Sequence, residues 1–386
     1  MLAITKAMSL IAMYSIDKNL RGGEMAANTF EIAIMAGDGI GPEVMDACLE
    51  IVEAAVAKSG GPGLKYIDAP GGAGHYRDHG DDLPETSMDI AKKADAILFG
   101  AMGLPDVRKV DGTEINPQLD LRFELELYAG VRPVRVLPGA PTPLGDPRAQ
   151  DIDLVLIREN TEGMFADIRK IRTPNNNEAE DRCLITRKGT ERVVEYAFQL
   201  AKSRDRTRSD ARRVTCVDKA NVLHSMAFFR KIFDEVSARH SDIEADYAYV
   251  DAMALNLVKH PWDYDVMVME NLFGDILSDL TAGIVGGLGM APSGDIGDQH
   301  ALFQPSHGSA PDIAGQGLAN PVAMVLSASM MLKWLGLTRN EDTAITTGTL
   351  IEDAVTAAFA TGELKPSEFG GPHGTADITS AILEQI

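Results

Sequence analysis

The stretch NLFGDILSDL, Asn271 to Leu280, carries two aspartates, Asp275 and Asp279, among mostly apolar neighbours. On a helix, positions four apart share a face. Phe273, Ile276, Leu277, Leu280 and Ile284 then fall on the opposite side. No lysine or arginine in the stretch is placed to neutralise the pair, and like charges at this spacing cost roughly a few tenths of a kcal/mol. A solvated helix face is the plain reading. The chemical reading is a hard divalent cation, Mg²⁺ or Mn²⁺, which favours a few carboxylates together with substrate oxygens. Asp251, in YVDAMA at a strand end, is a third candidate ligand.

Arg122, Arg132 and Arg158 follow or flank apolar runs. Read one at a time, each is an ordinary surface or structural arginine. Three near strand ends suggest a clamp for a di- or tricarboxylate, because the guanidinium fork pairs bidentately with carboxylates. Lys219, in VDKANVL, ends another apolar strand. It reads either as the partner of an aspartate or as a base whose pKa is lowered by burial or a nearby cation. GDGIGPEV, residues 37–44, fails the dinucleotide fingerprint because Pro42 takes the third glycine position. HGSAPDIAGQGLANP, residues 307–321, is more specific. Its small residues allow close backbone approach to a ligand, and Asp312 could accept both hydroxyls of a ribose. Walker A, HExxH and GxSxG motifs are missing from the sequence.

Elements that alternate along the chain must position these groups. EIAIMAG, DAILFGAM, VRPVRVL, IDLVLIREN, RRVTCVDKAN, ADYAYVDAM and DVMVMEN read as strands. Helical runs lie between several of them, including GPEVMDACLEIVEAAVAKSG, GTERVVEYAFQLAKS and HSMAFFRKIFDEVSARH. Past Gly286 the chain is glycine-rich and ends in two helical runs. This alternation predicts an α/β fold with much parallel sheet. The polar residues cluster at strand ends, where open α/β sheets bind ligands. At 386 residues the chain exceeds one ordinary core, so two domains or one large α/β unit are expected. A formal charge of −21 argues against nucleic acid or an anionic membrane as partner. Cys48, Cys183 and Cys216 have no metal-ligand spacing and read as reduced thiols of a cytoplasmic protein. Residues 1–28 hold a weak apolar run without a convincing cleavage site. They read as a disordered extension, or as an upstream start with Met25 the true one.

Taken together, GDGIGPEV, RENTEG, VDKANVL, YVDAMA, FGDILSDL and HGSAPDIAG…ANP resemble the isocitrate/isopropylmalate dehydrogenase family. These are the metal- and NAD(P)-dependent β-decarboxylating dehydrogenases. The resemblance runs in order from about Phe30 to the C-terminus. It implies an isopropylmalate dehydrogenase-like fold of two α/β domains with the active site in the cleft between them. The first, nucleotide-binding domain would comprise residues 29–127 and 287–386. A central domain, residues 128–286, would carry substrate, metal and dimer contacts. By position, Asp275 and Asp279 match the family's metal ligands, and Asp251 the one contributed across a homodimer interface. Lys219 matches the catalytic lysine, also donated by the neighbouring subunit. Arg122, Arg132 and Arg158 match the substrate clamp. Ile40, His307, Gly308, Ala310, Asp312, Ile313 and Asn320 match the nucleotide site, and the carboxylate of Asp312 implies NAD, since it would repel a 2′-phosphate.

Two departures bear on the substrate. After RENTEG the family pattern has one variable residue and then a tyrosine that protonates the enolate; here that position is Phe165. A phenyl ring cannot donate a proton. Either water or another donor, with His224 and Tyr249 as candidates, takes over, or the decarboxylating half-reaction is impaired. Oxidation without loss of CO₂, as with a tartrate-like substrate, then becomes more plausible. In the family the residues before the first clamp arginine read the group on C3. Here they are Asn116, Gln118 and Leu119, with Val222 an apolar contact after Lys219. The expectation is a malate-type 2-hydroxy dicarboxylate, 3-isopropylmalate-like or tartrate/D-malate. Isocitrate or homoisocitrate is the alternative, and a non-catalytic regulatory subunit the alternative of a different class.

Overall fold

The computed structural model describes residues 29–167, 177–204 and 212–386. The expectations for residues 1–28 lie outside these. The chain enters through β1 (Thr29–Gly37), α1 (Gly41–Ser59) and β2 (Gly63–Asp68). Two short helices, α2 (Ala73–His79) and α3 (Glu85–Lys93), lead to β3 (Ala96–Ala101) and α4 (Pro117–Glu124). Next come β4 (Ala129–Arg135), β5 (Asp153–Glu159), α5 (Arg187–Ser203), β6 (Arg213–Asp218) and α6 (His224–Ser237). Then follow β7 (Glu244–Tyr249), α7 (Val250–Lys259), β8 (Val266–Met269) and α8 (Asn271–Ile284). The chain closes with β9 (Pro292–Ile296), β10 (Ala301–Pro305), α9 (Val322–Arg339), α10 (Asp342–Ala360) and α11 (Thr375–Leu383).

All ten strands form one sheet in the order β2-β1-β3-β10-β9-β4-β5-β8-β6-β7. Five come from the two chain ends and five from its middle, and β9 pairing with β4 joins them. The outer pairings are parallel, as expected, but β10–β9, β9–β4 and β4–β5 are antiparallel. Neither β9 nor β10 carries a strand pattern in the sequence. PSGDI carries too few apolar residues to register as a strand, and its burial comes from neighbours on both sides. Nor is α11 among the expected helices.

Strands in the middle of the sheet are buried on both faces, which is why they read as continuous apolar runs. Val155 and Ile157 enter the larger core, whereas Leu154 and Leu156 enter a second core beneath α7 and α8. Pro133 of β4 lies beyond the β9 pairing, which ends at Val131, and so interrupts no bond on that side. Among the described residues, no helix is long and apolar enough to cross a membrane. The three cysteines are free thiols.

Gly37 ends β1 at φ 82°, where an added Cβ would meet the Ala101 carbonyl. Gly37→Ala should therefore lower unfolding free energy by roughly 1–3 kcal/mol or more. Urea denaturation reads this directly, and an unchanged midpoint would refute the strained-turn assignment.

Candidate active site

Position along a strand decides which way the arginines face. Gly130 of β4 lies opposite Asp295 of β9 on one side and Arg158 of β5 on the other. Residues directly opposite share a sheet face, and so do positions two apart on one strand. Asp295, Arg158 and Arg132 therefore emerge on one face, with a side-chain-free position in the middle of the row. An added Cβ at Gly130 would crowd the Asn160 amide. Arg122 reaches the same place from the last turn of α4. It is thus a helix residue, and Arg132 lies mid-strand; of the three, only Arg158 sits near a strand end as expected. All three arginines are buried.

Arg122 and Arg132 converge on Asp295, which is completely buried, while Arg158 Nε donates to Asn271 Oδ1 at 2.9 Å. Arg122 Nε donates to its Oδ2 at 2.8 Å, and Arg132 Nη1 and Nη2 donate to Oδ1 at 3.2 Å. Asn160 Nδ2 donates to Oδ1 at 2.9 Å and Gln304 Nε2 to Oδ2 at 3.0 Å. Burial pushes the Asp295 carboxyl up, but the Arg122 and Arg132 guanidiniums overcome this and hold it at about 2. Burial, reinforced by the like charge of Arg122, draws Arg158 down to about 10. It remains charged at neutral pH. Asp295 escaped the sequence reading. Its only sequence signal is a carboxylate inside the glycine-flanked run PSGDIG.

Helix α8 carries Asp275 and Asp279 over this cluster, its N-terminus capped by the Glu270 side chain. Both aspartates are exposed. Arg158 Nη1 lies 2.5 Å from Asp275 Oδ1, which corrects the expectation that nothing cationic neutralises the pair. The partner is 117 residues away in the chain and invisible to local spacing. Desolvation, and then the charge of Asp275, raise the Asp279 carboxyl. Ile276 is a second correction. It is 59% exposed, whereas Leu277 and Ile284 are buried.

Lys219 and Asp251 meet elsewhere. β6 and β7 run parallel, with Asp218 opposite Tyr249, so the residues that follow them come together. Lys219 Nζ lies 2.5 Å from Asp251 Oδ1. Within one chain this is the aspartate partnership that the plain reading allowed. Among the described residues, no group of three or more His, Cys, Asp or Glu side chains could hold a metal ion. The single chain thus leaves Asp251 apart from Asp275 and Asp279. Two exposed carboxylates four apart on one helix still suit a hard divalent cation. Tyr249 lies beside Lys219, 5.8 Å from ring centroid to Nζ. His224, at the start of α6, is exposed, and so is Val222.

The helix that brings Arg122 to the cluster begins just after Asn116. Gln118 Nε2 donates to Asn116 Oδ1 at 3.1 Å, and Gln118 Oε1 is enclosed without a partner. The Phe165 ring centroid lies 5.6 Å from the Arg158 guanidinium carbon. The residue at the expected tyrosine position therefore does face the clamp.

The segment after β10 is pinned by Ile40 N donating to Ser309 O at 2.8 Å. Ala310 adopts φ 35°, and Gly308 has open space where a side chain would be. Asp312 is exposed and Ile313 half-buried. His307 places Nδ1 2.9 Å from the Gly308 carbonyl, while its enclosed Nε2 has no partner. Desolvation lowers its pKa and keeps the ring neutral. An orphaned ring nitrogen beside open glycine backbone suits a nucleotide's polar edge. Asn320 differs, because its amide is engaged within the protein. It donates to Glu368 at 3.1 Å and accepts from Val322 N at 3.2 Å.

Residues 31–385 match the family model for isocitrate/isopropylmalate dehydrogenase. The chain belongs to this family. It is 38% identical over 362 residues to a homoisocitrate dehydrogenase of Methanocaldococcus jannaschii, covering 92% of this chain and 97% of that one. A probable tartrate dehydrogenase/decarboxylase of Bacillus subtilis is 36% identical over 367 residues, covering 94% and 99%. The crystal structure of isocitrate dehydrogenase from Methylococcus capsulatus superposes with a TM-score of 0.80 at 36% identity, covering 92% and 99%. The protein is accordingly a decarboxylating dehydrogenase acting on a CH–OH group, and the α/β architecture is that of the family.

Acid unfolding should report the Asp295 cluster. Its folded value, about 2, lies below the ordinary 3.8. The stability it contributes is therefore present above 3.8 and lost as pH falls through about 2. The unfolding free-energy gap between wild type and Asp295→Asn should shrink between about pH 5 and about pH 2. A gap constant across that range would show that the carboxylate is not held by the arginines.

Proposed function

We propose that the protein catalyses NAD-dependent oxidation, coupled to decarboxylation, of a malate-type 2-hydroxy dicarboxylate, with Mg²⁺ or Mn²⁺. The candidates are 3-isopropylmalate-like acids, tartrate and D-malate. The observation that carries this reading is the convergence of three buried guanidiniums beside an exposed aspartate pair. Arg122, Arg132 and Arg158 would hold the substrate carboxylates. Asp275 and Asp279, with Asp251 of a second copy, would hold the cation. Such a cation polarises the substrate hydroxyl and stabilises the charge left when CO₂ departs. Lys219 of the second copy would accept the hydroxyl proton as hydride passes to the nicotinamide. Ile40, His307, Gly308, Ala310, Asp312, Ile313 and Asn320 would form the nucleotide site. Exposed Asp312 favours NAD over a cofactor bearing a 2′-phosphate.

The same reading makes the protein a cytoplasmic homodimer, with a nucleotide domain of residues 29–127 and 287–386 and a central domain of 128–286. Exposed Leu255 and Val258 on α7 and Ile276 on α8 support a second copy on this face. Phe165 leaves the enolate's proton to Tyr249, His224 or water. Gln118 and Asn116 favour a small or polar C3 group over isopropyl.

NADH formation with Mn²⁺ across D-malate, tartrate, 3-isopropylmalate, isocitrate and homoisocitrate tests the function. Activity with a dicarboxylate is expected, and inactivity with every acid would favour a regulatory subunit. Gln118→Leu should move preference towards 3-isopropylmalate; an unmoved preference would sink the pocket assignment. Lys219→Met and Asp275→Asn chains should each be inactive yet regain NADH formation when refolded together. No recovery in mixed dimers would place both residues in one chain's site.

A further inference from the structure

We propose that Asp295 sets the charge of the acid that the site accepts, making the arginine clamp a receptor for a dianion and disfavouring a trianion. This rests on the reading that the arginines hold substrate carboxylates. Both Asp295 oxygens are occupied by donors from Arg122, Arg132, Asn160 and Gln304, so it presents no free acceptor to a ligand. Its contribution to binding is therefore its charge and the orientation it imposes on two guanidiniums.

The charges around the clamp can be paired off. Asp275, which also pairs with Arg158, and Asp279 would together match one divalent cation, and Lys219 is matched by Asp251. Asp295 cancels one of the three guanidinium charges, so the clamp carries one positive charge fewer than its arginines alone would supply. The other two donors to Asp295, Asn160 and Gln304, are neutral amides. At the start of α4, Asn116 and Gln118 are neutral amides that bond each other, and Asp120 adds a negative charge. Arg108 and Lys109 in the preceding segment are already paired, with Glu114 at 2.9 Å and Asp82 at 3.0 Å. A dicarboxylate suits this reduced charge better than a tricarboxylate. A third substrate carboxylate would meet the Asp295 charge without a further cation to offset it, which is costly beside buried arginines.

The test is calorimetric binding to the full-length, Mn²⁺-loaded protein without NAD. D-malate, tartrate and 3-isopropylmalate are compared with isocitrate and homoisocitrate. Wild type should favour the best dicarboxylate over either tricarboxylate by about tenfold or more, and Asp295→Asn should shift that ratio towards the tricarboxylates by about tenfold. Asp295→Asn combined with Asn160→Asp relocates the carboxylate by one hydrogen bond and should restore the wild-type ratio. Asn160→Asp alone adds a negative charge and should move the ratio the other way, which keeps the idea testable if Asp295→Asn does not fold. A purely structural aspartate would weaken both classes equally. An unmoved ratio in folded variants, or a wild-type preference for tricarboxylates, overturns the proposal. Binding that follows the expected ratios without NADH formation would sink the catalytic reading and leave the charge rule standing. No binding of any acid would overturn both.

Discussion

A carboxylate buried between guanidiniums is the interaction on which the site depends. Taking such ions out of water costs several kcal/mol each, and only close geometry with further hydrogen bonds offsets it. Asp295 meets that condition with five hydrogen bonds from four side chains. Gly130, between Asp295 and Arg158 in the strand register, leaves the space in which these groups meet. The antiparallel β9–β4 seam is therefore more than a join between two halves of a sheet. It brings a carboxylate from one part of the chain to arginines from another, and so fixes where these charges meet.

The candidate groups for chemistry are divided between two places on the chain. The aspartate pair on α8 overlies the arginine cluster, whereas Lys219 and Asp251 follow the neighbouring strands β6 and β7. β7 is the last strand of the sheet, and apolar side chains lie exposed on α7 and α8. A helix that buries Leu277 and Ile284 while exposing Ile276 has two apolar sides, and the fold within one chain covers only one. This unpartnered face and the separated carboxylates fit the same proposal, in which the site is completed by a second copy.

Much of the fold was legible because doubly buried strands leave continuous apolar runs and helices leave a 3.6-residue period. Those signals marked β1, β3 and β5, and the helices α1, α5 and α6. β9 and β10 left no such mark. PSGDI is built of small and polar residues, and it becomes a strand because β10 and β4 flank it. The site divided along the same line. Asp275, Asp279 and Lys219 stood out by type and spacing, while Asp295 sat in a segment that looked like loop.

By itself the sequence determined the family, the alternating α/β order and the inventory of groups able to do chemistry. Each of these is written in local pattern, either a period of burial or a motif of fixed spacing. Tertiary structure decided which charges meet. Asp275 looked unpaired until β5 brought Arg158 to within 2.5 Å of it. Asp295 looked incidental until a strand and a helix delivered arginines to both its oxygens. Ion pairing depends on distance in space, and residues more than a hundred positions apart carry no trace of that distance in their order along the chain.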